Sequence, residues 1–351
     1  IYTDILKELR ESADMINTSE PVFISGDNIF NGDAEKWKRF ANSLRMRVAN
    51  NLRGVDASLA NAEIDDAIAD GVMLSNDDNA AQSYDTTDDN ASPMWRAHIT
   101  RTDFAVAAPF VQLLKGETGS FGPDPRLFEM AAPISVSIED VKSDTYVRSE
   151  DYDDYIGIPY AFRNTNFLDR TTYSFMSSDI LKPDYEEVLM EYAEVQFIIS
   201  ERNGFSQENY ENGVRASMER WGVSEADIAS FVTGLPVATQ ETVLNQKYIA
   251  LYMQPNQAYA DYRRTGFPNT IVLPGETVTL PAEQVAGLPP DNRVESYVFE
   301  ARHVDPSVTE IPFRLRYPQI LQTLNGTNRS SAASKLSNGD LINSKLFWDV
   351  N

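Results

Sequence analysis

The chain has 351 residues, 42% of them hydrophobic, and its 53 acidic and 30 basic residues give a formal net charge of −23. A chain of this length can bury a large core, whereas its negative field repels phosphate groups and argues against nucleic acid or anionic membrane surfaces as direct ligands. Disulfides and thiolate zinc sites are excluded because there is no cysteine.

The chain begins at Ile1 inside a helical pattern, with no initiator methionine and no signal peptide. We therefore expect a processed or truncated form, with any export signal or lipid anchor upstream of this sequence. No apolar run approaches the roughly 20 residues that are needed to span a bilayer.

Residues 1–71 show the spacing of a helical hairpin followed by a third helix. The first stripe of apolar residues lies in "IYTDILKELRESADMINT", and the second lies in "NGDAEKWKRFANSLRMRVANNL", residues 31–52. The third helix is predicted from Ala57 to Gly71, where the glycine suits a left-handed C-cap.

Residues 72–182 form a predicted loop-rich insertion. The stretch "SNDDNAAQSYDTTDDNASP", residues 75–93, is rich in Asp, Asn and Ser, which favour turns. A helix is predicted from Thr102 to Gly116, and a β-like alternation follows "DPRLFEM". The aromatic residues between 146 and 182 stand among prolines and glycines, which indicates irregular structure.

Residues 183–265 return to paired helices, with Ser224 as an N-cap and Pro255 near the start of a later helix. Residues 266–351 are predicted to be loop-rich, with "IPFRLRYPQ" strand-like. Hairpins recur at roughly thirty-odd residues, which indicates tetratricopeptide-like packing. We predict a mainly α fold of such hairpins, with long irregular loops and small β-elements.

Nucleophilic catalysis finds little support in the sequence. The two histidines, His98 and His303, stand in no recognisable constellation, and there is no G-x-S-x-G elbow, Walker loop or H-E-x-x-H motif. The segment "TGSFG", residues 118–122, lacks the full glycine pattern of a dinucleotide site. A carboxylate pair for glycoside hydrolysis remains open, because so many acidic residues always allow some pair at a productive separation.

The acidic loop between Asp77 and Asp89 offers oxygen atoms for calcium, but its spacing is not that of an EF-hand. Its five carboxylates are Asp77, Asp78, Asp85, Asp88 and Asp89. We expect no high-affinity calcium site, no other metal and no cofactor.

Binding is the function that the side chains favour. Aromatic rings stack on the apolar faces of sugars, and Asn, Asp and Arg bond to their hydroxyl groups. Trp37 and Trp221 stand at helical spacing and are predicted to be core, and any single ring of the loops could also cap the core. The candidate ligand-binding residues are Asn90, Trp95, Arg96, Tyr152, Tyr155, Tyr160 and Asn164.

Several segments together resemble the SusD/RagB-like family, the outer-membrane nutrient-binding lipoproteins of Bacteroidetes. They are residues 31–52 with "DPRLFEM", "YIGIP", "EYAEVQFIISER", "RWGV", "YADYRRTGFPN", "IPFRLRYPQ" and "KLFWDV". The resemblance implies one domain over residues 1–351 that lacks its N-terminal part, with a SusD-like α-α superhelix.

The resemblance also implies a function and a partner. The protein would be a glycan-binding, non-enzymatic component of a nutrient uptake system, lipid-anchored on the extracellular face of the outer membrane. It would deliver an oligosaccharide to a SusC-like TonB-dependent transporter. A peptide or glycopeptide binder of the same build and an exported glycosidase remain as alternatives.

Overall fold

The computed structural model describes residues 1–87, 89–301 and 310–350. The mainly α fold class with small β-elements is confirmed. Its helices are α1 (Tyr2–Met15), α2 (Ala34–Asn51), α3 (Ala57–Asp70), α4 (Pro93–His98), α5 (Ala108–Leu114), α6 (Arg126–Met130), α7 (Ile138–Lys142), α8 (Tyr192–Arg202), α9 (Gln207–Arg220), α10 (Glu225–Thr233), α11 (Gln240–Ala250), α12 (Pro255–Thr265), α13 (Ala282–Gly287), α14 (Leu321–Leu324) and α15 (Gly326–Ala333).

The strands are short and form two antiparallel pairs. They are β1 (Ala80–Gln82), β2 (Glu187–Met190), β3 (Thr277–Thr279) and β4 (Ser296–Val298). Strand β1 pairs with β2 with an irregular register after Ala80, and Thr277 of β3 lies opposite Val298 of β4. Short 3₁₀ turns lie at Asn76–Asp78, Tyr152–Asp154, Thr165–Phe167, Arg170–Thr172 and Pro290–Asn292.

The first three helices form where the spacing predicts them. The Asp33 side chain accepts a hydrogen bond from the Lys36 N–H and so caps α2, and α2 packs against both α1 and α3. Gly71 has the positive φ that favours glycine, +97°, but its ψ of +112° lies outside the left-handed helical region. The predicted left-handed C-cap is therefore wrong in its conformation.

Helices α8 to α12 form the second helical group. Ser224 caps α10 by accepting from the Asp227 N–H, and α12 begins at Pro255, as predicted. The largest buried side chains between α8 and α9 are Phe197 and Tyr210. Val195 of α8 packs instead into the core of α1 to α3, so the two helical groups share core residues.

A buried ion network ties this second group together. Lys247 of α11 lies 2.9 Å from the Asp261 carboxylate and 3.2 Å from that of Glu201, and Arg264 lies 2.9 Å from Glu201. Burial alone would raise the pKa of the Asp261 carboxyl, but Lys247 and Arg264 hold it well below its usual range. The carboxylates of this network are therefore ionised and compensated.

The middle region has its own core of aromatic and aliphatic residues, but its secondary structure is shorter than predicted. The helix expected from Thr102 begins only at Ala108. The reason is that the N–H groups of Val106 and Ala108 donate to Ser174 and Ile158 of a distant segment, which holds the preceding chain extended.

Two expected β-like segments are not strands. After α6, the Ala132 N–H donates to Phe175 O, and the chain turns into α7 without forming a ladder. In residues 311–319, the N–H groups of Phe313 and Arg314 both donate to the single carbonyl of Ile342. Such convergence on one acceptor is not a strand pairing, so these two predictions are wrong.

Candidate functional site

A groove of about 940 Å³ lies along the loop between β1 and α4, and we call it the Tyr84 groove. Its walls combine polar side chains with the Tyr84 ring, two alanines and a proline from one stretch of chain, and one residue from the turn before α2 closes it. It is lined by Asn28, Gln82, Ser83, Tyr84, Asp85, Asp89, Asn90, Ala91, Pro93, Arg96 and Ala97.

The groove loop is fixed at both ends by backbone hydrogen bonds. Where it leaves β1, the Ser83 N–H donates to Asn28 O at 3.1 Å, and where it enters α4, the Ser92 N–H donates to Pro183 O at 2.7 Å. The Ser92 hydroxyl then caps α4 by accepting from the Trp95 N–H. These anchors position Asn90 and Arg96 relative to Tyr84.

Between its anchors the loop is closed by its own side chains. The Asp85 carboxylate accepts from the Thr87 N–H at 2.7 Å and from the Asn90 amide at 3.2 Å, and the Asp85 N–H donates to Asn90 O. The Thr87 hydroxyl is also bonded to Asp85, and these hydrogen bonds, led by that one, lower the pKa of its carboxyl. Asp85 therefore stays ionised.

The groove offers both donors and acceptors to a ligand. Arg96 and Asn90 are exposed, and an asparagine amide that donates once still has a second N–H and its carbonyl oxygen. Burial raises the pKa of the Tyr84 hydroxyl, so this group is protonated and able to donate. The arrangement suits a neutral, hydroxyl-rich molecule.

Two of the predicted ligand-binding residues, Asn90 and Arg96, thus line one groove. Trp95 does not line it, and it lies on helix α4, where a loop was expected. Neighbouring helical residues point about 100° apart, and the half-buried Trp95 ring faces Lys142 of α7, whose Nζ lies 5.8 Å from the ring centroid.

The tyrosines at 152 and 155 belong mainly to the middle core. Tyr155 is fully buried, its ring lies 5.5 Å from Phe128, and its hydroxyl donates to Ser149 O at 2.8 Å. Its prediction as an exposed binding residue is wrong, because the ring is packed in the core and the hydroxyl is already hydrogen-bonded. Tyr152 is half-buried and packs on the same Phe128, with 4.6 Å between ring centroids.

The last two candidates lie beside the β3–β4 hairpin. Tyr160 is 40% exposed and packs edge-on against Phe299, with 5.3 Å between ring centroids. Asn164 lines a smaller groove of about 230 Å³ together with Tyr297 and Glu300. The structure therefore distributes the predicted residues over four places: the Tyr84 groove, the face of α4 towards Lys142, the middle core and the surroundings of the β3–β4 hairpin.

Sequence reasoning missed Tyr84, Gln82 and Asn28. Tyr84 is the one aromatic residue inside the polar run 75–93, and that isolation is a signal that could have singled it out. No local signal marks Asn28, because it reaches the groove only through its backbone contact with Ser83.

The remaining polar candidates have structural partners. Asp78 lies 3.1 Å from Arg39 and accepts from the Leu74 N–H, and the buried His98 has its Nδ1 2.9 Å from Met94 O. His303 and Asp88 lie outside the described residues. Over residues 1–87, 89–301 and 310–350, no group of three or more Asp, Glu or His side chains could hold a metal ion.

The chain is similar to known proteins over most of its length. Residues 1–285 match the SusD-like_2 family, which is described as "Starch-binding associating with outer membrane". The chain belongs to the SusD-like family. The predicted SusD/RagB-like membership is thereby confirmed. None of the curated proteins matches the chain significantly.

Solved structures share the fold of this SusD-like chain. A SusD homolog from Bacteroides fragilis is 23% identical with a TM-score of 0.75, and the match covers 99% of this chain and 74% of the homolog. A chitin-binding SusD homolog from Flavobacterium johnsoniae is 23% identical with a TM-score of 0.69, and the match covers all of this chain and 72% of the homolog.

A third similar structure is an outer-membrane protein from Bacteroides vulgatus whose name links it with nutrient binding. It is 22% identical with a TM-score of 0.75, and the match covers 99% of this chain and 74% of that protein. Among the described residues of the SusD-like chain, none of the helices has the length and apolar character needed to cross a membrane.

Proposed function

We propose that the protein binds an oligosaccharide in the Tyr84 groove. The observation that carries the proposal is the set of polar groups in the groove, where Arg96, Asn90 and Tyr84 can donate and Asp85 and Asp89 can accept. Sugar hydroxyl groups need both kinds of partner, and the family description names a carbohydrate.

The binding is expected to be weak. The groove is open and its one ring, Tyr84, is half-buried, so a ligand keeps part of its contact with water. Affinities in the micromolar to millimolar range correspond to about −4 to −8 kcal/mol. Such values suit a protein that must release its ligand onward.

We further propose that the ligand passes to a SusC-like TonB-dependent transporter in the outer membrane. The family description, which includes association with the outer membrane, supports this partner. In this proposal the protein is held at the extracellular face by a lipid anchor upstream of Ile1. Direct contact with nucleic acid is not part of it, because the net charge of −23 opposes such contact.

The proposal is non-enzymatic. A glycosidase needs one carboxyl group with a raised pKa to act as the general acid, and the pKa of Asp85 is lowered by its bonds to Thr87 and Asn90. A different pair keeps the alternative testable: burial raises the pKa of Glu129, and Arg148 bridges it to Asp179. Arg148 reduces this rise in the pKa of Glu129 without reversing it, and Glu129 belongs to the Arg148-bound pair rather than to the lining of the Tyr84 groove.

Calorimetry with maltooligosaccharides and chitooligosaccharides tests the function. We expect Asn90→Ala and Arg96→Ala to weaken binding about tenfold each, because each removes a hydrogen-bonding group of the groove. Matched controls are Asn166→Ala and Arg215→Ala, which remove the same side chains outside the groove. The controls should bind as the unaltered protein does.

Unchanged binding in a folded Arg96→Ala variant would place the site elsewhere, first at Tyr160 and Asn164 beside the β3–β4 hairpin. Release of reducing ends during the titration would contradict the non-enzymatic proposal, and Glu129→Gln would then show whether Glu129 is the acid. Binding of peptides but of no sugar would favour the peptide-binding alternative.

A further inference from the structure

A second cavity, of about 560 Å³, lies between the middle region and the end of helix α9. We call it the Arg148 cleft. Arg148, Lys182 and Asp184 line it from the middle region and the segment that follows, and Arg220 and Trp221 line it from the end of α9. It is separate in its lining from the Tyr84 groove.

The two cavities meet at the segment 183–186. Ser83, which lines the Tyr84 groove, has its hydroxyl 3.4 Å from the carboxylate of Glu186, which lines the Arg148 cleft. The backbone bond from Ser92 to Pro183 O, at 2.7 Å, links the groove loop to the chain next to Lys182 and Asp184 of the cleft. The two cavities are therefore neighbours, with the Ser83–Glu186 contact between them.

The charges of the Arg148 cleft are largely compensated within it. Arg148 bonds to Glu129 and Asp179, and Arg220 lies 3.3 Å from Glu191, so both guanidinium groups of the cleft already have carboxylate partners. Lys182 and Asp184 are exposed at its edge and carry one charge of each sign. A neutral ligand with several hydroxyl groups fits this balance better than an anion or a cation.

The cleft also holds two buried polar groups without a protein partner. Tyr185 and Trp221 are 3% and 7% exposed, both line the cleft, and neither the Tyr185 hydroxyl nor the Trp221 Nε1 has a hydrogen-bond partner among the described residues. An unsatisfied buried donor costs about 1–3 kcal/mol. Both polar atoms are inaccessible to solvent, so a ligand in the cleft contacts the surrounding wall rather than these two groups.

We propose that the Arg148 cleft is a second carbohydrate subsite, continuous with the Tyr84 groove across the Ser83–Glu186 contact. It rests on the proposed function and adds a preference for chain length: long oligosaccharides occupy both cavities, whereas the shortest ones occupy only the groove. The affinity then rises with the number of sugar residues.

The test is calorimetry with maltooligosaccharides and chitooligosaccharides of two to six residues. For the series that binds, we expect the affinity to rise at least fivefold from the shortest bound sugar to the hexamer. The double substitution Lys182→Ala with Asp184→Ala should abolish this rise and leave binding of the shortest sugar unchanged. The control is Lys335→Ala with Asp291→Ala, two exposed charges outside both cavities, and it should keep the rise.

The outcomes separate the two proposals. If no oligosaccharide of either series binds, the proposed function fails and the subsite fails with it. If sugars bind with an affinity that does not depend on length, or if the Lys182–Asp184 double variant keeps the full rise, the subsite alone is overturned. Thermal melts of each variant establish that a lost rise is not a loss of folding.

Discussion

The helical groups and the middle region use the same kinds of charged side chain for different purposes. In a helix the backbone satisfies its own hydrogen bonds, so Glu201, Lys247 and Asp261 bond to one another and fix how helices pack. In the irregular region Asp85 and Asp169 bond to backbone N–H groups two residues along and fix the shape of a loop. Charge stabilises packing in the first region and conformation in the second.

Breaking the buried network should give the largest loss of stability. Lys247→Met leaves the carboxylates of Glu201 and Asp261 with less compensation, and we expect the free energy of unfolding to fall by about 3–5 kcal/mol. Chemical denaturation measures it, and Lys7→Met, which breaks the exposed pair with Glu11, should cause no measurable change. A loss under about 1 kcal/mol for Lys247→Met would mean that Arg264 compensates both carboxylates.

A buried carboxyl group should make stability depend on pH. Burial raises the pKa of Glu191 from its ordinary 4.5 to about 7, despite the nearby Arg220. The folded state therefore holds this proton more tightly, and its contribution is complete below pH 4.5 and lost as the pH rises through 7. The loss is about 3 kcal/mol for a shift of this size.

Glu191→Gln should remove that part of the pH dependence, and denaturation at a series of pH values from 4.5 to 8 measures it. The control is the exposed Glu283, whose change to Gln should leave the profile as it is. Parallel profiles for the unaltered protein and Glu191→Gln would show that Glu191 is ionised throughout this range.

A smaller loss is expected at the aromatic group beside α2. Phe40 is half-buried and lies 6.0 Å from both Phe30 and Trp37, measured between ring centroids. Phe40→Ala should cost about 2–3 kcal/mol, less than for a fully buried ring, because part of its surface already meets water. Phe167→Ala, at a ring that is 44% exposed, should cost less than about 1 kcal/mol, and equal losses would contradict this packing.

The smallest change in stability is expected at the groove loop. Asp85→Ala removes the bonds to Thr87 and Asn90, so sugar affinity should fall severalfold while the denaturation midpoint stays unchanged. Asp169→Ala is a matched control, because Asp169 bonds to Thr171 N–H and hydroxyl in the same way but outside the groove. A sugar affinity that falls equally in both variants would contradict the assignment of the loop to the site.

Much of the helical scaffold could be predicted from the sequence because its signals are local. Apolar spacing and caps at Asp33 and Ser224 depend on residues within a few positions of one another. The strands depend on distant partners, such as β1 with β2 more than 100 residues away, and no local pattern shows that pairing. The alternation in residues 311–319 has no strand partner in the described part of the chain, and it forms no strand.

Part of the candidate site could also be predicted from local signals. Asn90 and Arg96 stand in or next to a polar run that has too few apolar residues to form a core, and they line the groove. Whether a ring is exposed depends on what folds over it, and Tyr155 is buried by Phe128, which the sequence places 27 positions earlier. The expected absence of calcium remains a prediction, which a melting temperature unchanged by millimolar calcium would support.

The two anchors of the groove loop have a consequence for how ligand preference can change. Ser83 and Ser92 are bonded to the scaffold at the two ends of the loop, whereas Asp85 bonds only to residues between them. The conformation of the loop interior is therefore set by hydrogen bonds within the loop itself. We expect substitutions at the exposed positions between the anchors to change the groove more than the ladder of β1 and β2 or the helices. The same scaffold could then carry grooves of different shape at the same position between β1 and α4.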